Sequence, residues 1–374
     1  MSSTLRIFYL SDATIPSRLA NSVHVMKMSR ALSDIGVEIV LYANKGKSQG
    51  KDPFKFYGVT KNFKIKFVPS AIFFKSTFWT AIYSILSVSI DKKSLIYTRS
   101  IYALLLAMVF RIPAAIEMHS KIENHKNIKL MIFRFALRHH LFKGFVVISE
   151  PLREYYQKLF NLKSTKILLA PDAADIISSS VIPQKLRNEK RLCVGYVGQL
   201  FKGRGIELIY ELSKRLPNID FHIVGGLEPD INYWEEITKH QNNLTFHGFV
   251  AASETSKFLK AFDVVLAPYQ RRVTILGRGD SSEWMSPLKL FEYMGAGVPI
   301  VASDLPSIRS ILHHGKTGIL CSPDNIESWF YAISQLESDP NFRIEIGANA
   351  LDELSKKYTW NLRAEKIFSW LSVS

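Results

Sequence analysis

Cysteine is scarce in this sequence, and neither a leader nor a membrane-spanning segment is evident. Cys193 and Cys321 are the two cysteines among 374 residues, so no disulfide framework is implied and a reducing compartment fits. The stretch 1–12 lacks a basic region followed by an apolar core, and 5–10 is predicted as a first strand instead. No uninterrupted apolar run reaches the roughly 18 residues of a spanning helix. We therefore expect a globular protein of the cytoplasm.

Sequence motifs for several common chemistries are also missing. There is no G-x-x-x-x-G-K-[ST] phosphate loop and no G-x-S-x-G nucleophile elbow. The ten histidines show no H-E-x-x-H spacing. Motifs of nucleic-acid-binding proteins are absent as well. The sequence thus predicts no metal, no cofactor and no nucleic-acid partner.

Acidic residues are sparse in one half of the chain. Residues 1–175 contain 26 Lys and Arg against 11 Asp and Glu, whereas 176–374 contain 22 of each, so the first half carries the whole net charge of +15. Its basic residues alternate with large apolar ones at 63–67, 73–79 and 125–143. Such a surface is typical of peripheral docking on an anionic membrane. The alternative is a solvated rim around an ordinary core.

Strands and helices alternate along both halves. In the first half, apolar strands are predicted at 5–10, 37–42, 94–98, 114–119 and 144–149, with helices between them. A second alternating series runs from 192 to 321, and a last helix covers roughly 360–372. This pattern indicates an α/β protein with parallel, doubly wound sheets.

We expect two domains joined by a segment without periodicity. The predicted boundaries are 1–175 for a basic first domain, 176–190 for a linker, 191–355 for a second domain and 356–374 for a terminal helix.

The stretch 286–302 combines a short helix with a strand. Pro287 fits the first helical position, and Gly295 fits a left-handed residue that ends the helix. Residues 300–302 are predicted as a buried parallel strand. The start of such a helix offers free amides and a positive dipole end to an anion.

Two charged residues on this helix point to a specific ligand. Lys289 adds a full positive charge at the helix start, and Glu292 lies three residues further on, on the same face. A carboxylate about 5 Å further along the helix axis than a phosphate site fits a ribose attached to a diphosphate. The alternative is a surface helix on which Lys289 and Glu292 pair with each other.

Five further motifs precede this helix in a fixed order. They are Val194-Gly195-Tyr196-Val197-Gly198, Lys202-Gly203-Arg204-Gly205, Phe221-His222-Ile223-Val224-Gly225-Gly226, Leu244-Thr245-Phe246-His247-Gly248 and Asp263-Val264-Val265-Leu266-Ala267-Pro268. This order resembles the C-terminal half of the glycosyltransferase family 4 enzymes, which are retaining, sugar-nucleotide-dependent transferases. The resemblance covers roughly the whole chain and is strongest at 194–322 and 18–42. It implies the GT-B fold, in which two Rossmann-like domains face a cleft and the terminal helix crosses back to the first domain.

The resemblance also implies catalytic roles for four residues. Arg204 and Lys289 are expected to bind the diphosphate leaving group without a metal, and Glu292 to bind the ribose hydroxyls. His119 ends a strand of the first domain and is expected over the donor sugar, where it bonds a hydroxyl and the developing charge. A buried core histidine is the alternative for His119.

The chain departs from the family pattern beside this helix. Trp284 stands where the first glutamate of the E-x7-E pattern is expected, and Glu283 is adjacent. The subset of family 4 with a Ser-Pro-x-Lys-x-x-Glu helix resembles the sequence more closely. Backbone N–H groups of Met285, Ser286 and Leu288 are candidates to hold the sugar in place of that glutamate.

The first helix departs from the family pattern too. Ala20-Asn21 stands where many relatives have Gly-Gly, so the helix start itself, capped by Asn21 or Ser22, is the predicted contact with the donor phosphate.

Four other donor-binding residues are predicted in the second domain. Gly198 lets the backbone approach the ligand, and Lys202 assists the diphosphate or is simply exposed. Phe249 and Val250 are expected near the nucleobase.

The sequence therefore predicts a retaining glycosyltransferase. It moves a sugar from a nucleoside-diphosphate sugar to a lipid-linked glycan or glycolipid acceptor during polysaccharide or glycolipid biosynthesis, at the inner face of the cytoplasmic membrane. One alternative is a sugar-nucleotide epimerase of the same fold, which leaves the basic first domain unexplained. Another is a non-catalytic nucleotide-binding partner subunit, which the departure at Trp284 keeps open.

Overall fold

The chain forms two compact units. The computed structural model describes residues 5–46, 52–69, 76–88, 94–122, 127–186, 191–275 and 278–373. Unit 1 comprises Met1–Pro171 with Trp360–Ser374, and unit 2 comprises Asp172–Thr359. Within the described ranges, no helix has both the length and the apolar character needed to cross a bilayer. Of the predicted basic segments 73–79 and 125–143, residues 73–75 and 125–126 lie outside the described residues.

Unit 1 is built on a parallel sheet of seven described strands. The strands are β1 (Arg6–Ile15), β2 (Glu38–Lys45), β3 (Lys64–Val68), β4 (Ser94–Thr98), β5 (Ala114–Met118), β6 (Phe142–Val147) and β7 (Ile167–Leu169). They are ordered β3-β2-β1-β4-β5-β6-β7 and pair in parallel throughout. The order reverses at β1, as in doubly wound sheets, where ligands bind outside the carboxyl ends of the strands.

Helices connect the strands of unit 1. They are α1 (Ala20–Asp34), α2 (Pro53–Tyr57), α3 (Ser76–Leu86), α4 (Ile101–Val109), α5 (Asn127–Leu137) and α6 (Glu150–Phe160). All five residues of β4 are buried, which is expected for a central parallel strand that helices cover on both faces. The start of α4 is fixed by Ser100, whose hydroxyl accepts a hydrogen bond from the N–H of Ala103.

Unit 2 repeats this architecture with six described parallel strands. They are β8 (Cys193–Val197), β9 (Asp220–Val224), β10 (Leu244–Phe246), β11 (Val264–Ala267), β14 (Ile300–Ser303) and β15 (Ile319–Cys321), and a short antiparallel pair, β12 (Thr274–Ile275) and β13 (Arg278–Asp280), follows β11. The sheet order is β10-β9-β8-β11-β14-β15. As predicted, the strand after Pro299 is buried and parallel to its neighbours.

Seven helices of unit 2 are described. They are α7 (Ile206–Arg215), α8 (Glu228–Thr238), α9 (Thr255–Leu259), α10 (Leu288–Ala296), α11 (Pro306–Arg309), α12 (Ile326–Ser338) and α13 (Pro340–Lys357).

The last helix, α14 (Trp360–Val373), belongs to unit 1. Arg363 donates from Nε to the carbonyl of Pro171 at 2.8 Å, and Trp370 donates to the carbonyl of Thr165 at 3.1 Å. The structure divides the chain at Pro171 and Thr359, whereas the sequence predicted divisions at 175 and 355.

The segment predicted as a linker is held against unit 2 by its backbone. The N–H of Ile177 donates to the carbonyl of Gly295, and the N–H of Gln184 donates to the carbonyl of Lys257, both at 2.9 Å. Because 176–186 packs on one unit, it does not act as a free tether over that range.

The predicted end of α10 was wrong. The helix continues through Gly295 to Ala296, and Gly297, with φ +68°, is the left-handed residue that ends it. Pro287 precedes the first helical residue instead of occupying it. Gly295 is a glycine for another reason, because a Cβ there would lie 2.4 Å from the carbonyl oxygen of Asp175.

We expect Gly295→Ala to destabilise the protein although alanine is the better helix former. The clash with Asp175 should cost about 1–3 kcal/mol, like other overpacked sites, and should outweigh the propensity gain of about 1 kcal/mol. Chemical denaturation would measure the free energy of unfolding. The matched control is Ala348→Gly at an exposed position of α13, which should cost about 1 kcal/mol through propensity alone. A stabilised Gly295→Ala variant would contradict the packing argument.

Candidate functional site

The residues predicted to carry chemistry fall into one group in each unit. Unit 2 holds Gly198, Lys202, Arg204, Phe249, Val250, Met285, Ser286, Leu288, Lys289 and Glu292, and unit 1 holds Asn21, Ser22 and His119. Most of the unit 2 residues follow the carboxyl ends of β8 and β10 or lie in or just before the first two turns of α10.

Glycines bring the ends of β8, β9 and β10 close together. The N–H of Gly198 donates to the carbonyl of Val224 at 2.9 Å, and the N–H of Gly225 donates to the carbonyl of Gly248 at 2.7 Å. A Cβ on Gly225 would lie 2.3 Å from the Gly198 oxygen, and one on Gly198 would lie 2.7 Å from the ammonium nitrogen of Lys289. Side chains at these positions would therefore fill the space beside Lys289.

Helix α10 is fixed to the sheet by one buried tyrosine. The hydroxyl of Tyr293 accepts a hydrogen bond from the N–H of Val197 at 2.8 Å and donates one to the carbonyl oxygen of Leu266 at 3.3 Å. Lys289 lies four residues earlier, on the same face of α10. Tyr293 thereby sets the position of Lys289 at the end of β8.

The ammonium group of Lys289 is buried without a hydrogen-bond acceptor in the part of the chain that the structure describes. The residue is 9% exposed, and Nζ lies 3.7 Å from the ring centroid of Tyr196 and 5.2 Å from that of Tyr269. Burial lowers the pKa of Lys289 well below its usual range; the charge of Arg204 acts in the same direction, and that of Glu292 opposes both. Aromatic faces attract the cation but leave its donors unused, so the site favours an anionic ligand.

Arg204 lies next to Lys289 in a tight turn. The turn packs on the chain after β11, where the N–H of Gln270 donates to the carbonyl of Gly203 at 2.9 Å. The guanidinium carbon of Arg204 lies 5.2 Å from the ring centroid of Tyr269. Its Nε is buried and has no acceptor among the described residues. Two cations with unused donors thus adjoin the same tyrosine, whereas Lys202 is exposed.

Glu292 is half-buried one turn after Lys289. Its charge raises the pKa of both Lys289 and Tyr269. Lys289, Arg204 and Glu292 therefore offer two cations and one carboxylate, and Lys289 and Glu292 lie in the first two turns of a nine-residue helix.

The segment before α10 corrects part of the prediction. The N–H of Met285 already donates to the carbonyl of Ser281 at 2.9 Å, so it does not remain for a sugar. Ser286 is buried, and its hydroxyl accepts a hydrogen bond from the N–H of Asp172 at 2.9 Å. Glu283 is exposed, whereas Trp284 is half-buried.

Phe249 and Val250 follow Gly248 and are half-buried. Val250 packs against the core around α10 and β11. Their predicted contact with a nucleobase stays a prediction.

The start of α1 also differs from expectation. Ala20 begins the helix and Leu19 takes the cap position, without a side-chain cap. Both the N–H and the hydroxyl of Ser22 bond to the carbonyl of Leu19, at 3.1 and 2.7 Å, so Ser22 has no group directed at a phosphate. Oδ1 of Asn21 is buried without a partner among the described residues.

His119 follows β5 in unit 1 and is hydrogen-bonded through Nε2 to Oε1 of Glu117. Nε2 of His24 lies 2.8 Å from the same oxygen. Burial and the charge of Arg99 lower the pKa of His119 to about 4, against the opposing effect of Glu117. The side chain of His119 remains 22% exposed, so it is accessible to a ligand rather than a core residue.

Glu117 accepts contacts on both carboxylate oxygens. Nη2 of Arg363 lies 3.2 Å from Oε2, and the hydroxyl of Tyr97 donates to the same oxygen. Burial favours the protonated form, but Arg363, His24 and His119 outweigh it and hold the pKa of Glu117 well below its usual range.

Three side chains of types that can bind a metal come together around Glu117. The ligand atoms of His24, Glu117 and His119 all lie within 4.8 Å of one another. No sequence spacing reveals this group, because its members come from α1 and the end of β5. The guanidinium of Arg363 on Glu117 opposes a further cation. The expectation that the protein uses no metal stays a prediction.

Comparison with known proteins assigns the architecture. Over 99% of this chain and 100% of the other, the fold matches the crystal structure of HepE from Anabaena in complex with UDP, with a TM-score of 0.71 at 16% identity. It also matches a TarM mutant from S. aureus in complex with UDP, with a TM-score of 0.75 at 14% identity over 98% of this chain. The protein has the GT-B fold. Residues 179–353, which all lie within unit 2, match the family of glycosyl transferases group 1.

Relatives by sequence are glycosyltransferases of several kinds. An uncharacterized glycosyltransferase of Methanocaldococcus jannaschii is 29% identical over 44% of this chain. A phosphatidyl-myo-inositol mannosyltransferase of Mycolicibacterium smegmatis is 25% identical over 65% of this chain. The matches span only 41% and 61% of those relatives' own lengths. An alpha-D-kanosaminyltransferase of Streptomyces kanamyceticus is 22% identical over 71% of this chain.

Sequence reasoning missed four functional neighbours. The rings of Tyr196 and Tyr269 face Lys289, Glu117 contacts His119, and Arg363 contacts Glu117. The one available signal was that Glu117, an acidic residue, interrupts an apolar strand sequence.

We expect Lys289→Met to raise the free energy of unfolding by about 1–3 kcal/mol, because a buried donor without an acceptor is replaced by an apolar chain of similar length. The folded-state pKa of Lys289 is lowered, so its destabilisation is full below the folded pKa and disappears as the pH rises toward the unfolded value of about 10.4. The difference in the free energy of unfolding between variant and wild type should therefore narrow as the pH rises through the folded-state pKa toward about 10.4. Denaturation at several pH values would measure it, and a destabilised variant would contradict an unpartnered ammonium.

Proposed function

We propose that the protein is a retaining glycosyltransferase that uses a nucleoside-diphosphate sugar as donor and belongs to family 4. The observation that carries the proposal is the buried ammonium of Lys289, which has no acceptor among the described residues and adjoins Arg204 and Glu292 in a glycosyl transferases group 1 domain. The Ser286-Pro287-x-Lys289-x-x-Glu292 arrangement supports the assignment to family 4.

Lys289 and Arg204 stabilise the diphosphate as it leaves. Negative charge develops on that group when the bond to the sugar breaks, and preorganised donors in a water-poor site act most strongly there. The first amides of α10 add the positive end of the helix dipole. Because both side chains are held before the ligand arrives, no reorganisation is needed at the moment of reaction.

Glu292 accepts hydrogen bonds from the ribose hydroxyls. It lies one turn from Lys289, so a diphosphate at the helix start puts the attached ribose near its carboxylate. Structures of HepE were determined with UDP and with UDP-glucose, and this supports a nucleoside-diphosphate sugar as the donor here.

Unit 1 holds the acceptor, which is lipid-linked. One face of α5 exposes Ile128, Met131 and Phe135, with 44–65% of each residue's surface accessible, and its opposite face is buried in the core. Arg134 is exposed on the same helix, and Arg138 is exposed just after its end. Apolar and basic groups together fit the anionic inner face of the cytoplasmic membrane, where polysaccharide or glycolipid acceptors are extended.

We expect diphosphate recognition to depend on the two cations. In calorimetric titrations with UDP, GDP and ADP, Arg204→Ala and Lys289→Ala should each weaken binding of the preferred nucleotide about 10- to 100-fold, the value of one or two charge-assisted hydrogen bonds. Binding of the nucleoside alone should change little. Glu292→Ala should weaken both ligands, because it removes the ribose contact.

Lys202→Ala is the matched control, since Lys202 is an exposed cation in the same turn as Arg204. Equal, small effects of all variants would contradict the assigned site. Product analysis separates the alternatives: an epimerase releases an epimeric sugar nucleotide without an acceptor, and a non-catalytic subunit binds the nucleotide without turnover.

We expect the exposed face of α5 to bind anionic membranes. Met131→Glu should reduce co-sedimentation with vesicles that contain phosphatidylglycerol, because it adds a negative charge to the apolar face. Ile344→Glu changes an equally exposed apolar residue of unit 2 and should have no effect. Identical losses in both variants, or none in either, would contradict the docking surface.

A further inference from the structure

We propose that Glu117 is a positioning residue: it holds His119 through Nε2 and so presents Nδ1, without a hydrogen, to a hydroxyl group of the sugar substrate. The inference rests on the proposed function and adds to it the residue that orients His119 and the ring nitrogen that His119 offers to a hydroxyl.

The hydrogen on the His119 ring is assigned by its partner. An ionised carboxylate has no hydrogen to donate, so the ring nitrogen that faces Glu117 must carry one. A neutral imidazole has a single N–H, which leaves Nδ1 as an acceptor. Nδ1 makes no hydrogen bond to the described residues, and the side chain is partly exposed.

Glu117 is kept ionised by groups from three other elements. His24 comes from α1, Tyr97 from β4 and Arg363 from α14, and together with His119 they occupy both carboxylate oxygens. The His24 ring also stacks edge-on between His119 and Trp360, with centroids 5.0 and 5.2 Å away. The Glu117 side chain is fully buried, so it acts through His119 and does not touch the substrate itself.

The surroundings of His119 also select the charge of its ring. Burial and the nearby charge of Arg99 hold the pKa of His119 at about 4, so the imidazole is neutral at physiological pH. A neutral ring with a bare Nδ1 accepts a hydrogen bond from an alcohol and gives nothing to a phosphate oxygen. A sugar hydroxyl is therefore the group that fits.

The experiment compares ¹⁵N-histidine NMR spectra of the wild type and Glu117→Gln, with His119→Asn used to assign the His119 signals. In the wild type we expect the hydrogen on Nε2 and a bare Nδ1. In Glu117→Gln, the tautomers should mix, since the amide no longer offers two accepting oxygens. In kinetics, kcat should fall by about 10- to 100-fold, as for other residues that orient a histidine, while calorimetric binding of the nucleoside diphosphate stays unchanged.

Glu150→Gln is the control, because Glu150 is a partly exposed glutamate of unit 1 that pairs with Arg153, and its tautomer spectrum and kcat should match the wild type. The wild-type spectrum decides the case even if Glu117→Gln does not fold. A hydrogen on Nδ1 of His119 would overturn the proposal, and so would an unaltered tautomer and kcat in a folded Glu117→Gln.

A second measurement identifies which sugar hydroxyl is recognised. If Glu117→Gln slows hydrolysis of the nucleotide sugar in the absence of acceptor, His119 recognises a hydroxyl of the donor. If transfer is slower while hydrolysis is unchanged, His119 recognises a hydroxyl of the acceptor. Failure of the proposed function is distinguishable, since it would appear as absent nucleotide binding by the wild type while the NMR result on His119 stands by itself.

Discussion

The buried ammonium of Lys289 is the constraint on which the organisation of unit 2 depends. A lysine that loses its water and gains no acceptor destabilises the fold, so the surrounding elements must force it into place. Tyr293 anchors α10 to β8 and β11, and the faces of Tyr196 and Tyr269 compensate part of the lost hydration. Under the proposed function, the diphosphate would offset the rest of the cost, which is a common exchange of stability for function.

Two glycines allow the backbone to approach closely and leave space beside Lys289. Gly198 and Gly225 have positive φ values of +151° and +111°, and any side chain there would collide with Lys289 or with the neighbouring strand end. The space they leave lies at the carboxyl ends of parallel strands, where open α/β sheets bind ligands. Sheet geometry, helix dipole and unpaired cations therefore converge on one place within unit 2.

The repeated strand–helix pattern predicted the parallel arrangement of both sheets and five of the seven described strands of unit 1, because most of these strands are apolar on both faces. It missed β3, whose lysines alternate with apolar residues at the sheet edge, and the three-residue β7. It failed where a residue serves tertiary packing. Gly295 resembled a helix end by its type, yet it is needed against Asp175, which is distant in sequence. Likewise, motif order predicted Arg204, Lys289 and Glu292 as site residues, and the structure brings them together around Tyr269. Tyr196 and Tyr269 carry no sequence signal beyond being aromatic residues of strands or strand ends.

In both units, residues that are distant in sequence determine the surroundings of one buried ionisable group, which is Lys289 in unit 2 and Glu117 in unit 1. In unit 2, the ammonium of Lys289 has no acceptor among the described residues, which favours an anionic ligand. In unit 1, Glu117 is fully paired, with Arg363 arriving from the last helix, and it passes its constraint to His119. An unpaired charge attracts a charged ligand, whereas a paired one orients a neutral neighbour toward a hydroxyl. Under the proposed function, the unpaired cation of unit 2 would recognise the diphosphate and the oriented histidine of unit 1 would recognise the sugar.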